Sequence, residues 1–245
     1  MQIIFNDEQY SWNNTSLEDF LHKHQHTPSR WMDFFNKPII DDQIHTISNF
    51  LKYEASQSIT IYPNINNVFQ SLYLTNPTTI TTIIIGQDPY HDGAATGIAF
   101  DVPPGKKINP SLRNIKTEVL NSGYSDNPEL STWPEQGVLL INTALTVEKG
   151  SPQSHTEIWN EFTNELIQYI VNQTQKKRLV WLLMGSHAHS YAKNIPNRHI
   201  IIKTTHPSPL SAYKSTTKTQ AFIGSCCFKT INEELAKIGH KKIKF

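Results

Sequence analysis

The chain has 245 residues, a formal net charge of +1 at pH 7, and two cysteines, the adjacent pair Cys226 and Cys227. That length suits one sizeable domain. Neighbouring cysteines exclude a disulfide framework and any cysteine-ligated zinc or iron–sulfur centre, and the balanced charge excludes a heavily basic coat, though not a local phosphate-binding stripe.

In chain order, residues 1–25 read as a polar N-terminal extension, loosely held, and 26–245 as a single α/β domain. The opening MQIIFNDEQYSW carries acidic residues where a leader would be basic, and no apolar run reaches membrane-span length. A soluble, intracellular and cytoplasmic protein is expected, nuclear in a eukaryotic or viral host context, with no membrane contact. In DDQIHTISNFLKYE, Ile44, Ile47, Phe50 and Leu51 share one helical stripe. Four continuous apolar runs read as strands covered on both faces: 81–86, 137–143, 178–185 and 198–205. Between them lie helical patterns. In PSLRNIKTEVLNSG, Leu112, Ile115, Val119 and Leu120 form one face; in SHTEIWNEFTNELIQYIVN, Ser154 and Glu157 fit a capping box. Shorter helices follow over 187–193 and 228–238, and the terminal GHKKIKF reads as a solvated basic run. The expected fold is a central four-stranded, mostly parallel sheet flanked by helices on both faces.

In open α/β sheets ligands collect at the carboxyl ends of the strands. Gly86 there permits a turn into Gln87, Asp88, Pro89, Tyr90 and His91; the second strand ends at Asn142; Gly185 and Ser186 follow the third, and His206-Pro-Ser-Pro-Leu-Ser the fourth. A carboxylate, an amide, an imidazole and an aromatic ring converging on one edge can read a small heterocycle and act on it by acid/base or electrostatic chemistry. The residues alone reach a hydrolase or lyase of a polar ring compound. The histidines His22, His24 and His26, and the pair His187 and His189, lack a carboxylate or cysteine partner set for a metal, so no cofactor is expected.

GQDPYH and HPSPLS together resemble the signature pair of the family 1 uracil-DNA glycosylases, with support from TIYPNINNVFQSLYLT, PSLRNI, GVLLINTALTV and INEELAKIG, over about Trp31 to Gly239. The resemblance implies a monofunctional, metal-free and monomeric enzyme that flips deoxyuridine out of single- or double-stranded DNA, releases uracil and leaves an abasic site. It implies Asp88 as the carboxylate that positions water beneath the developing sugar cation, and His206 as the imidazole donating to uracil O2. Asn142 would read uracil O4 and N3–H, Tyr90 would fill the space of a thymine methyl, Phe100 would stack on the base, and Gln87 would help line the pocket. Leu210 would be the wedge entering the duplex. Pro110, Ser111, Ser186, Ser208 and Ser211 would lie on loops pinching phosphates, with His91 and His155 in support. A DNA-mimicking inhibitor protein is a further partner that the resemblance implies for the same face.

Three features depart from the family's pattern. The loop after GQDPYH is short and carries Asp92; Asn109 and Met184 stand where the family favours Pro and Trp; and KSTTKTQA (214–221) is inserted after the wedge loop, bringing Lys214 and Lys218 beside it. Two alternatives to the glycosylase are a catalytically weakened DNA-binding accessory protein of replication and a glycosylase of relaxed pyrimidine specificity.

Overall fold

In the computed structural model, which describes residues 10–22, 26–125, 127–173 and 177–245, the four apolar runs are strands. In chain order the elements are α1 (Leu17–His22), α2 (Met32–Phe35), α3 (Pro38–Ser56), β1 (Ile61–Tyr62), α4 (Gln70–Leu74), β2 (Thr82–Gly86), α5 (Pro110–Asn121), β3 (Val138–Asn142), β4 (Val147–Glu148), α6 (Thr156–Gln173), β5 (Val180–Met184), α7 (Gly185–Ser190), β6 (Ile200–Thr204) and α8 (Cys227–Lys237). The main sheet has four parallel strands in the order β3-β2-β5-β6. A two-stranded antiparallel pair, β1 with β4, was not apparent from sequence periodicity because each strand has only two residues.

The unbroken apolar runs follow from burial on both faces. Ile83, Ile85, Leu139, Ile141, Trp181 and Leu183 point into one core, built with α1, α2, α3, α4 and α6. Their neighbours Ile84, Leu140, Val180 and Leu182 point into the other, built with α5 and α8. The period-2 geometry of a strand sends successive side chains to opposite faces, so β2, β3 and β5 are buried at every position. β6, at the sheet edge, is only partly covered and exposes Lys203, against the two-sided burial expected of it.

Several local expectations change. Within the stretch read as a loose extension, residues 1–9 and 23–25 lie outside the described residues, His24 among them; Leu17, Phe20 and Leu21 of α1 are buried in the first core, their i, i+3, i+4 spacing giving the short helix one apolar face. Leu120 is 52% exposed, one residue past the face that buries Leu112, Ile115 and Val119. Ser154 does not cap α6: its hydroxyl accepts the Glu148 N–H at 2.9 Å, holding the loop that leads into the helix. The terminal GHKKIKF is not wholly solvated, since Ile243 and Phe245 are buried and Phe245 packs on Trp133 at 5.0 Å between ring centroids. No helix among the described residues is long and apolar enough to cross a membrane.

One buried carboxylate organises the loop leading into α8. Glu118 on α5 is fully buried and accepts the N–H groups of Gly224 (2.7 Å) and Cys226 (2.6 Å), with the Ser225 hydroxyl at 3.2 Å. One turn earlier on α5, Asn114 donates to the Pro207 carbonyl at 2.7 Å. Spacing of i, i+4 puts both side chains on one helix face, so α5 grips the start and the end of the 206–226 segment. Removing the acceptor leaves buried donors without partners. Glu118→Ala is therefore expected to lower the unfolding free energy by about 3 kcal/mol in chemical denaturation, with Glu118→Gln losing less.

Candidate functional site

The register of the sheet decides what meets at its carboxyl edge. Gly86 ends β2 directly beside Asn142, which ends β3. A Cβ on Gly86 would lie 2.1 Å from Asn142 Oδ1, so the glycine is there to make room for the amide. Its backbone does not need glycine's left-handed freedom, in contrast to the turn role expected from sequence. Gly185, at φ +88°, does need it, and an added Cβ would also strike His206 Cβ at 2.8 Å. The two glycines seat the amide and the imidazole.

A cavity of about 540 Å³ opens at this edge. Asp88, Asn142, His206, Tyr90 and Phe100 line it together with Gln87 and His91. Ser111, Ser208 and Leu210 stand at its walls. Ser186 instead borders a neighbouring cavity of about 200 Å³ shared with His187 and His206. Pro110 is exposed at the first position of α5, and Ser211 turns inward, its hydroxyl donating to the His206 carbonyl at 3.0 Å. His155 lies behind the cavity: its Nδ1 meets the Thr146 hydroxyl at 2.8 Å and its Nε2 lies 2.8 Å from Glu54. Burial lowers its pKa to about 4, so this imidazole is neutral at pH 7.

Asp88 is held from a loop that sequence reasoning passed over. Its Oδ2 accepts the Gln153 N–H at 2.7 Å, and Gln153 adopts φ +71°, a conformation unusual for a non-glycine residue. The Gly150 N–H donates to the His91 carbonyl at 3.0 Å, tying the same two loops together a second time. Gln153 contributes through its backbone, so no side-chain signal could have found it. The shortened tail at 92–93 does not carry Asp88; Asp92 instead closes its own turn by accepting the Ala94 N–H at 3.1 Å. Burial raises the Asp88 pKa above the ordinary carboxylate value, opposed by the Gln153 N–H and by His91 and His187.

The tautomer of His206 follows from its neighbour. Ser208 N–H donates to Nδ1 at 3.0 Å, so Nδ1 carries the lone pair and Nε2 carries the hydrogen. Burial, reinforced by His187, lowers its pKa below the usual histidine value. His206 is thus a neutral donor at pH 7. Phe100 sits at φ +67° with its ring 6.2 Å from the His206 ring, and its carbonyl accepts the Tyr90 hydroxyl at 3.1 Å. That bond fixes the two aromatic rings relative to each other, and burial raises the Tyr90 pKa further from neutrality. Asp101, also on the wall, accepts from the Thr96 hydroxyl at 3.1 Å, and burial pushes its pKa up to about 6.

Beyond the cavity mouth Leu210 is 82% exposed. The insertion that follows is folded on itself: Ala221 N–H donates to Ser215 Oγ at 3.0 Å and Thr216 N–H to the Thr219 carbonyl at 2.8 Å. Lys218 stands within that turn and Lys214 at its base, both exposed. Among the described residues no group of three His, Cys, Asp or Glu side chains is placed to hold a metal ion. His189 points Nε2 at the carbonyls of Leu183 (3.2 Å) and Thr204 (3.0 Å), which makes it a donor within the fold.

The sequence pattern of the Uracil DNA glycosylase superfamily matches residues 73–236. A uracil-DNA glycosylase of Bacillus cytotoxicus is 40% identical over 220 residues, covering 85% of this chain and 90% of that protein. One of Equine herpesvirus 2 is 40% identical over 213 residues, covering 84% and 82%. The crystal structure of mimivirus uracil-DNA glycosylase matches with a TM-score of 0.81 at 26% identity, over 95% of this chain and 90% of that one. A mimivirus UNG variant in complex with UGI matches with a TM-score of 0.82 at 26% identity, over 100% and 99%. The two hexapeptides at the strand ends, the sheet that brings them together and these matches along most of the chain have one source: the protein belongs to the uracil-DNA glycosylase superfamily.

Proposed function

We propose that the protein hydrolyses the N-glycosidic bond of deoxyuridine in DNA, releasing uracil and leaving an abasic site as the first step of base excision repair. The observation that carries this reading is the pairing, in one cavity, of a half-buried carboxylate with an imidazole whose neutral donor tautomer is set by the Ser208 N–H. Cleavage through an oxocarbenium-like state puts positive charge on the sugar and negative charge on the departing ring. Asp88 supplies a fixed negative charge, and orients water, on the sugar side; His206 donates through Nε2–H to the oxygen where negative charge collects. A neutral donor suffices, because the hydrogen bond strengthens as the charge develops.

Specificity rests on Asn142, Tyr90 and Phe100. The Asn142 amide matches the acceptor and donor of uracil O4 and N3–H, whereas cytosine presents the reverse pattern and would leave buried groups unpaired. Tyr90, held by the Phe100 carbonyl, closes the space a thymine methyl would need. Phe100 offers its ring to the base. Outside, Leu210 is the apolar wedge that replaces the flipped nucleotide, and Pro110, Ser111, Ser186 and Ser208 border the path of the flanking phosphates. Ser211 acts there by bracing His206 rather than by offering a free hydroxyl. The substrate is uracil in single- or double-stranded DNA. The same face is proposed to accept a DNA-mimicking inhibitor protein, a reading supported by the UGI complex of the mimivirus neighbour. A binding-only accessory protein would have no use for a cavity carboxylate held at 2.7 Å by a strained backbone.

Abasic-site formation on uracil-, thymine- and hypoxanthine-containing oligonucleotides tests the reading. Wild type should form abasic sites only in the uracil-containing strand, and Asp88→Asn should be slower by at least about a hundredfold; a wild-type protein inert on uracil would sink it. Because the Asp88 pKa is raised and the charged form is the active one, the rate should fall with acidification at a pH above the ordinary carboxylate value of 3.8. Gly86→Ala should leave the fold cooperative yet displace the Asn142 amide, cutting uracil release about as strongly as loss of that amide in Asn142→Ala. For the insertion, Lys214→Ala with Lys218→Ala should shallow the salt dependence of duplex binding, by about 0.9 in log–log slope for each phosphate that the two lysines neutralise. An unchanged slope would remove the loop from the DNA interface.

A further inference from the structure

His187 had no role in the reading from sequence beyond a metal pair with His189, yet it sits between the two reacting groups' supports. It follows β5 on α7, is half-buried, and lines the smaller cavity that it shares with Gln87 and His206. Its Nε2 is 2.7 Å from the Thr143 hydroxyl oxygen. That hydroxyl is 2.9 Å from the Gln87 carbonyl, which can only accept. Thr143 has one hydroxyl hydrogen, and it goes to Gln87. The His187 nitrogen must therefore be the donor to Thr143, which fixes the ring as Nε2–H.

The chain of hydrogen bonds ends at the residue before Asp88. The Gln87 carbonyl also takes the Ala144 N–H at 2.9 Å, and the Gly86 carbonyl takes the Thr143 N–H at 3.1 Å, so the Gly86–Gln87 turn is stitched to the end of β3. Thr143 itself is buried, and its own carbonyl accepts the Thr163 hydroxyl at 2.6 Å. Around Thr143 Oγ1, His187 comes, like Tyr191, from the far side of the sheet edge, from the segment that follows β5. It therefore couples the β5 end to the peptide that aims the carboxylate.

We infer that His187 is a positioning residue for uracil excision: its Nε2–H holds the Thr143 hydroxyl in the rotamer that anchors the Gln87 carbonyl, and through that carbonyl sets the aim of Asp88. This rests on the glycosylase reading of Asp88 and His206. No covalent step passes through His187 and it does not touch the substrate. Misaim of about 1 Å at a reacting group can cost on the order of a hundredfold in rate, so a bond remote from the base can govern the chemical step. Binding of DNA, which depends on the wedge and the phosphate loops, should be indifferent to it.

Single-turnover uracil release, equilibrium DNA affinity and thermal unfolding are measured for wild type, His187→Leu, His187→Gln, Thr143→Val and the His187→Leu/Thr143→Val double variant. His187→Leu is expected to slow release about ten- to a hundredfold with DNA affinity within about twofold of wild type. His187→Gln, whose amide nitrogen reaches the same place, should recover the rate to within about threefold. The double variant should fall no further than Thr143→Val alone, as residues sharing one bond require. A His187→Leu rate within twofold of wild type, a glutamine variant as slow as the leucine one, or fully additive losses would each overturn the proposal. Should His187→Leu fail to unfold cooperatively, Thr143→Val set against His187→Gln decides in its place. A wild-type protein that releases no uracil would instead refute the glycosylase reading, so the two failures are separable.

Discussion

Gly86 has no side chain, and the Asn142 amide occupies the space a side chain would take. This close approach is possible because β2 and β3 run parallel and in register to their last residues, so that the two strand ends are direct neighbours. Much of the site depends on it. With the amide seated there, Asp88 leaves β2 two residues on, and the Gln87 carbonyl comes within reach of Thr143 on the continuation of β3. A side chain at position 86 would displace the Asn142 amide and disturb the turn that carries the Asp88 carboxylate.

The polar groups so gathered work with little formal charge. Among the described residues no Arg or Lys pairs with Asp88; its carboxylate is met by a backbone N–H and faced by histidines. His206 is neutral because its Nδ1 is already an acceptor and because burial disfavours the cation. For the proposed reaction, a cavity that must stabilise a sugar cation and a ring anion at once gains from this economy, since a fixed cation beside Asp88 would weaken its field at the sugar. The same restraint accords with the net charge of +1 on the whole chain. On the proposed function, contact with DNA falls instead to a projecting leucine, hydroxyl-bearing loops and two lysines on the insertion.

Helix α5 joins stability to the site. Asn114 and Glu118, one turn apart, hold the beginning and the end of the segment that carries His206, Leu210 and the insertion. In the role proposed for it, the exposed Leu210 needs a rigid base, because force applied at the tip must reach the duplex rather than bend the loop. Residues 214–221 sit between those two anchors, closed on themselves by the Ser215 hydroxyl and by the Thr205 N–H bond to the Gln220 carbonyl at 3.0 Å.

From the sequence by itself came the four strands, since only two-sided burial explains runs such as IIIG and VWLLM, and the groups at their ends, since GQDPYH and HPSPLS place uncommon polar residues where a parallel sheet gathers ligands. Tertiary structure decided what those groups lean on. Gln153 acts through a main-chain N–H, which no residue type advertises; Gly86 is required by Asn142, a neighbour on another strand, rather than by its own dihedrals; and the histidine tautomers depend on partners brought together only by folding. Local pattern likewise misread α1 and the C-terminal tail, because a few apolar side chains in a polar stretch are buried only if a core lies within reach. Periodicity and motif are properties of neighbours along the chain, whereas hydrogen-bond direction, close approach and desolvation are properties of neighbours in space.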